Sequence, residues 1–109
     1  MLTSSLRLAD SYALTTFANG LRLILTPLPD RYSVTAAFYV GVGARYEPAD
    51  IAGASHFLEH MLFKGSRGYP TPESISLAIE GVGGSLDAFT GDDRTGYIAR
   101  VPAAHLRTA

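Results

Sequence analysis

Two histidines stand four residues apart in this chain, His56 and His60, with Glu59 directly before the second. On a helix each residue turns by roughly 100°, so the two imidazoles lie one above the other on a single face. By the same step Glu59 falls beside them, and all three side chains share an arc of about 100°. Two imidazoles one turn apart can bind one cation, and a neighbouring carboxylate can reach a water held on it. The order His-x-x-Glu-His is the mirror of the His-Glu-x-x-His zinc motif, with the base next to the second His. The plain alternative is a helix whose two His sit on a polar face. At this composition the pattern arises by chance in roughly three chains per thousand, so chance is a weak competitor.

The elements around the motif must hold it in place. The helix is expected over about 53–65, beginning near Gly53 to Ser55 and stopping at Lys64-Gly65. Ala54, Leu58, Met61 and Leu62 fall opposite the two His, an apolar back expected to pack on a core. Phe63 falls on the His side, one turn on, as a dry floor. A helix so built would be half buried, and buried imidazoles and a carboxylate are costly unless paired or coordinated.

Upstream, Asn19-Gly20 reads as a tight turn between short strands near 13–17 and 21–26, ended by Pro27 and Pro29. Residues 34–43 carry bulk on both faces and read as a central strand with one face under helices. The glycines Gly41 and Gly43 mark a bulge or a close backbone approach. Downstream, Thr71-Pro72-Glu73 signals a second helix with Thr as N-cap and Pro at the first position. Ile75, Ala78, Ile79 and Val82 form its apolar stripe, and Gly83-Gly84 end it. Ser85–Thr90 and Gly96–Val101 read as a hairpin turning at Gly91-Asp92-Asp93-Arg94. Pro102 opens a last helix that breaks off after about two turns, too short to be stable alone, so a truncated domain is expected.

With 109 residues, 47% hydrophobic and 17% charged, the chain can build one modest core. A net charge of −1 argues against nucleic acid or an anionic membrane as partner. No cysteine is present, which removes disulfides and thiolate ligands and leaves His, Asp or Glu to hold a metal. Residues 1–14 lack the pattern of a signal peptide, and no stretch is long enough to span a bilayer. A cytoplasmic location is expected on those grounds. For Arg45 and Glu47 an exposed ion pair weighs at least as much as a functional contact, and His105 reads as a solvated side chain.

Several stretches together resemble the N-terminal part of the pitrilysin/insulinase family of zinc peptidases, which includes the mitochondrial processing peptidase. They are Asn19-Gly20-Leu21-Arg22, Gly43-Ala44-Arg45-Tyr46-Glu47-Pro48, the run from Gly53 to Gly65, and Gly83 to Thr90 with Thr95-Gly96-Tyr97. The likeness covers the chain from about Thr16 onward. It implies an α+β fold, an antiparallel or mixed sheet packed against helices, with residues 1–109 as the N-terminal part of a peptidase domain. It implies Zn2+ as cofactor, His56 and His60 as metal ligands, and Glu59 as the base that takes a proton from a zinc-activated water. A third ligand, a Glu, is implied beyond residue 109, together with a second homologous domain or subunit as partner. The strand Ser85–Thr90 resembles the edge on which an extended or unfolded peptide substrate adds as a strand. Asp87 stands where the family most often has Asn. An ionised Asp can only accept hydrogen bonds, so Asp87, expected at the substrate, loses the carbonyl-binding role or passes it to the backbone of Ala88; the plain alternative is an ordinary turn-proximal carboxylate. Asp93 likewise stands where Glu is frequent.

The implied function is zinc-dependent endopeptidase, the 109 residues alone being inactive for want of a third ligand. The rivals are a non-catalytic partner or scaffold subunit on the same fold, which usually lacks the His/Glu set, and a small stand-alone metal hydrolase finding its ligands within this chain. Glu80 is read as a solvated helix residue rather than a ligand.

Overall fold

Turn and cap chemistry decide where most elements of this chain begin. In the computed structural model, which describes residues 2–9 and 12–109, the chain divides into two compact units, one up to Arg31 and one from Tyr32 to Ala109. In the first unit, β1 (Leu2–Ala9), β2 (Tyr12–Phe17) and β3 (Arg22–Leu25) form an antiparallel sheet in that order. The Asn19-Gly20 turn joins β2 to β3 as expected: the Asn19 side-chain oxygen accepts from the Leu21 N–H at 3.1 Å. The pairing of β1 with β2, Leu6 opposite Leu14, was not foreseen.

The second unit holds the motif. Its sheet contains β4 (Ser33–Val40), β5 (Ser85–Thr90) and β6 (Thr95–Pro102), all antiparallel, in the order β4-β6-β5. The central strand is therefore β6, and β4 lies at an edge. The expectation of a central 34–43 strand fails because bulk on both faces reports what lies above and below a strand, not what hydrogen-bonds beside it. Phe38 and Tyr39, on opposite faces, are both exposed.

Helix α1 (Ala54–Leu62) carries the two His, and α2 (Pro72–Glu80) follows. Thr71 and Ser74 cap α2 reciprocally, each side-chain oxygen accepting the other's N–H at 3.2 and 3.1 Å. Regular α2 ends at Glu80, and the chain unwinds through Gly81 to Gly84. Ile79 is buried with Ala99 and Val101 of β6, and Val34, Val82 and Leu86 pack around them. The core thus sits under α2 and not under α1. The apolar back expected of α1 is uncovered: Leu58 and Leu62 are 60% and 58% exposed. Helix α1 turns its His/Glu side to β5, so the opposite side has no cover among the described residues.

After Pro102 the chain makes a single 3-10 turn, Ala103–His105, instead of the expected helix; His105 is exposed, as expected. Among the described residues no helix is long and apolar enough to cross a membrane. The architecture is α+β with antiparallel sheets and two helices.

Candidate active site

The helical spacing of His56 and His60 is realised as convergence. Their Nε2 atoms are 2.9 Å apart and their ring centroids 4.6 Å, tilted by 45°. Two imidazole lone pairs cannot face each other at that distance without repulsion, so a proton or a cation must lie between them. Nitrogens each about 2.05 Å from one zinc at a tetrahedral angle stand about 3.3 Å apart, so the pair needs to open by only a few tenths of an ångström. By donor type and spacing it fits zinc. A catalytic zinc takes three protein ligands, and among the described residues no cluster of three His, Cys, Asp or Glu gathers.

Both imidazoles are exposed, against the expected half-burial. They escape the cost of buried imidazole because α1 lies along the rim of the sheet. Glu59 is half buried, and its Oε2 accepts a hydrogen bond from the Thr90 hydroxyl of β5 at 2.6 Å. Among the described residues no protein group donates to Oε1. Tyr97 on β6, opposite Ala88, titrates above its ordinary value because it is partly desolvated and because the Glu59 charge is near.

His56, Glu59, Ala88 and Thr90 line one cleft of about 530 Å³, with Glu47, Gly53 and the hairpin turn at Gly91 and Asp92 around them. His60 joins through its contact with His56. Along β5 the burial alternates, with Leu86, Ala88 and Thr90 on the more covered face and Asp87 exposed on the other. The structure thus brings His56, His60, Glu59 and Ala88 together and leaves the Asp87 side chain out of the cleft lining.

Strand β5 is an edge of its sheet. Gly91 donates to the Arg94 carbonyl at 2.9 Å, and bonded pairs alternate along an antiparallel ladder. Counting back from Gly91, the N–H and C=O of Thr90, Ala88 and Leu86 point to the open side. The Ala88 N–H is at present taken by Asp87 Oδ1, at 2.9 Å. A peptide adding there would compete with that carboxylate.

Three residues near the motif were not read as part of the site. Thr90 could have been found from its position two residues after Ala88, on the same face of the strand. Tyr97 could have been found once β6 was paired with β5. For Glu47 an exposed ion pair with Arg45 was weighed beside a functional contact. Instead its carboxylate accepts from the N–H groups of Gly53 and Ser55 at 2.5 and 2.7 Å, because those amides begin α1 and lack partners within the helix. Among the described residues the ion pair is Arg94–Asp93, at 3.7 Å and exposed.

A helix with paired imidazoles and a carboxylate is set beside an open strand edge, and comparison with known proteins gives the family of the chain. The model of the family described as Insulinase (Peptidase family M16) matches residues 22–109. An uncharacterized zinc protease of Mycobacterium leprae (strain TN) is 46% identical over 95 residues, 87% of this chain and 21% of that protein. The beta subunit of the mitochondrial-processing peptidase of Dictyostelium discoideum is 39% identical over 98 residues, 90% of this chain and 21% of that subunit. The crystal structure of pitrilysin is similar with a TM-score of 0.80 and 29% identity, over 97% of this chain and 12% of that one. The chain belongs to the insulinase family of peptidases, M16. It spans about a fifth of the length of these two curated relatives.

Proposed function

We propose that this chain is the metal-helix portion of a zinc-dependent endopeptidase that hydrolyses extended or unfolded peptides. The observation that carries the reading is the convergence of His56 Nε2 and His60 Nε2 at 2.9 Å on the helix that also presents Glu59. His56 and His60 would hold the cation. A third ligand, a carboxylate, would come from residues beyond 109, and a second homologous domain or subunit would cover the cleft. When bound, zinc supplies a Lewis acid that eases deprotonation of water and polarises a peptide carbonyl.

The protein's own groups do the rest. Glu59 accepts the proton at Oε1 while the Thr90 hydroxyl holds Oε2, which fixes the direction from which the carboxylate works. The open edge of β5 receives substrate backbone as an added strand, so the peptide is held whatever its side chains are. That edge is adjacent to the base, since Ala88 and Thr90 share the cleft with Glu59. The retained His/Glu set supports an active peptidase over a non-catalytic scaffold on the same fold.

The test is elemental analysis and peptide hydrolysis in the natural polypeptide that carries this segment. About one zinc per chain is expected, and both zinc and hydrolysis should be lost in His56→Ala and in His60→Ala. Unchanged zinc in either variant would overturn the ligand assignment.

A further inference from the structure

The connection from β4 to α1 is fastened at both ends. At its start the Ala44 and Arg45 N–H groups donate to the carbonyls of Gly91 and Asp92 in the hairpin turn, at 3.3 and 2.8 Å. Gly43 lies so close that a Cβ there would stand 2.4 Å from the Gly91 oxygen and 2.7 Å from that of Asp92. A side chain at residue 43 would force the loop off the turn. At its other end the loop is fastened to α1 by one side chain, Glu47, whose Oε2 and Oε1 accept from Gly53 and Ser55.

The helix cannot supply this cap itself. Its N-cap residue is Gly53, at φ 90°, a left-handed conformation that suits glycine and brings no side-chain oxygen. The first-turn amides therefore depend on a carboxylate six and eight residues back, which is also favoured by the positive end of the helix dipole. The hydroxyl and N–H of Ser55 and the N–H of Gly53 hold the Glu47 carboxyl below its ordinary value. Ser55 is buried, and the next residue is His56.

We infer that Glu47 is a positioning residue for the metal pair: it clamps the first turn of α1 to the hairpin, so that His56 is held against His60 before a cation arrives. The inference rests on the proposed function in taking zinc as the cation. Partners bonded directly to a metal-ligating side chain typically change metal affinity about 10–100-fold when removed. Glu47 acts one step further away, through the backbone. The expected loss is about fivefold, the factor that loss of a typical helix cap gives.

The experiment measures zinc affinity by chelator competition, and amide hydrogen exchange of the metal-free protein, in the natural polypeptide. Glu47→Ala should weaken zinc by that factor and speed exchange at residues 53–56 while exchange in β6 stays unchanged. Glu47→Gln keeps one acceptor oxygen and should fall between the two. Should Glu47→Ala loosen the whole fold, the Gln variant decides: native exchange in β6 with weakened zinc supports the role, and unchanged zinc overturns it. Faster exchange in β6 of the Gln variant as well would make Glu47 a general stabiliser and overturn it too. His56→Ala separates the two readings. Zinc unchanged there sinks the proposed function, whereas zinc lost there but unchanged in both Glu47 variants sinks only the role given to Glu47.

Discussion

Thr90→Val removes one hydroxyl and almost no volume, and it acts on Glu59, the carboxylate proposed as the base. The Thr90 hydroxyl donates to Glu59 Oε2 at 2.6 Å, the short distance of a bond to a charged acceptor. Such bonds contribute about 1.5–3 kcal/mol when water is excluded. Both residues here are half buried, so water can replace part of the loss and about 1 kcal/mol is the reasonable share. At 1.36 kcal/mol per factor of ten, kcat should fall about fivefold. KM should change little, because the hydroxyl faces Glu59 and not the open strand edge, and zinc content should not change at all. Thr90→Ser keeps the donor and should retain most of the rate. Initial rates on a quenched peptide, with metal analysis of the same samples, make the assay. A wild-type kcat in Thr90→Val would refute the orienting role, and an equal fall in Val and Ser would assign the effect to the methyl group's packing.

Other outcomes follow from the same geometry. Ala88→Pro should preserve the fold, since its N–H points to the open edge and proline is tolerated there, but should raise KM by removing a donor to substrate; circular dichroism with peptide kinetics checks both. Asp87→Asn should leave KM unchanged or lower it, because the charged competitor for the Ala88 N–H is gone. For Glu47, the folded-state pKa lies below the ordinary value of 4.5. Its stabilisation of α1 is therefore complete above about pH 4.5 and is lost as pH falls through the lowered folded value. Protection factors at residues 53–56, that is, exchange relative to the intrinsic rate at each pH, should fall over that acid range in the wild type and show no such fall in Glu47→Gln.

Local chemistry was legible in this sequence where one short segment decides the outcome. Thr71-Pro72 announces α2, Asn19-Gly20 the β2–β3 turn, and His56, Glu59 and His60 need only helical spacing to meet. The lateral place of β4 was not legible, because its alternation of bulky residues speaks of faces alone. The apolar back of α1 has no cover among the described residues, and periodicity separates two sides of a helix without saying which element meets each. Glu59 reaches Thr90 across 31 residues, so the side of α1 that meets β5 is fixed by a partner distant in sequence. Glu47 was hidden by its distance from the helix it caps. The signal that would have found it is the absence of a capping side chain at Gly53.

If His56 and His60 bind the metal while Glu59 handles the proton, Glu59→Gln separates the two roles. Glutamine keeps the size and an acceptor for the Thr90 hydroxyl but cannot take up a proton. Zinc content and peptide turnover should be measured on the same preparation of the natural polypeptide. Zinc should be unchanged and turnover reduced about 10²–10⁴-fold. Wild-type turnover at full zinc occupancy would show that Glu59 is not the base, and loss of zinc would show that it is a ligand instead.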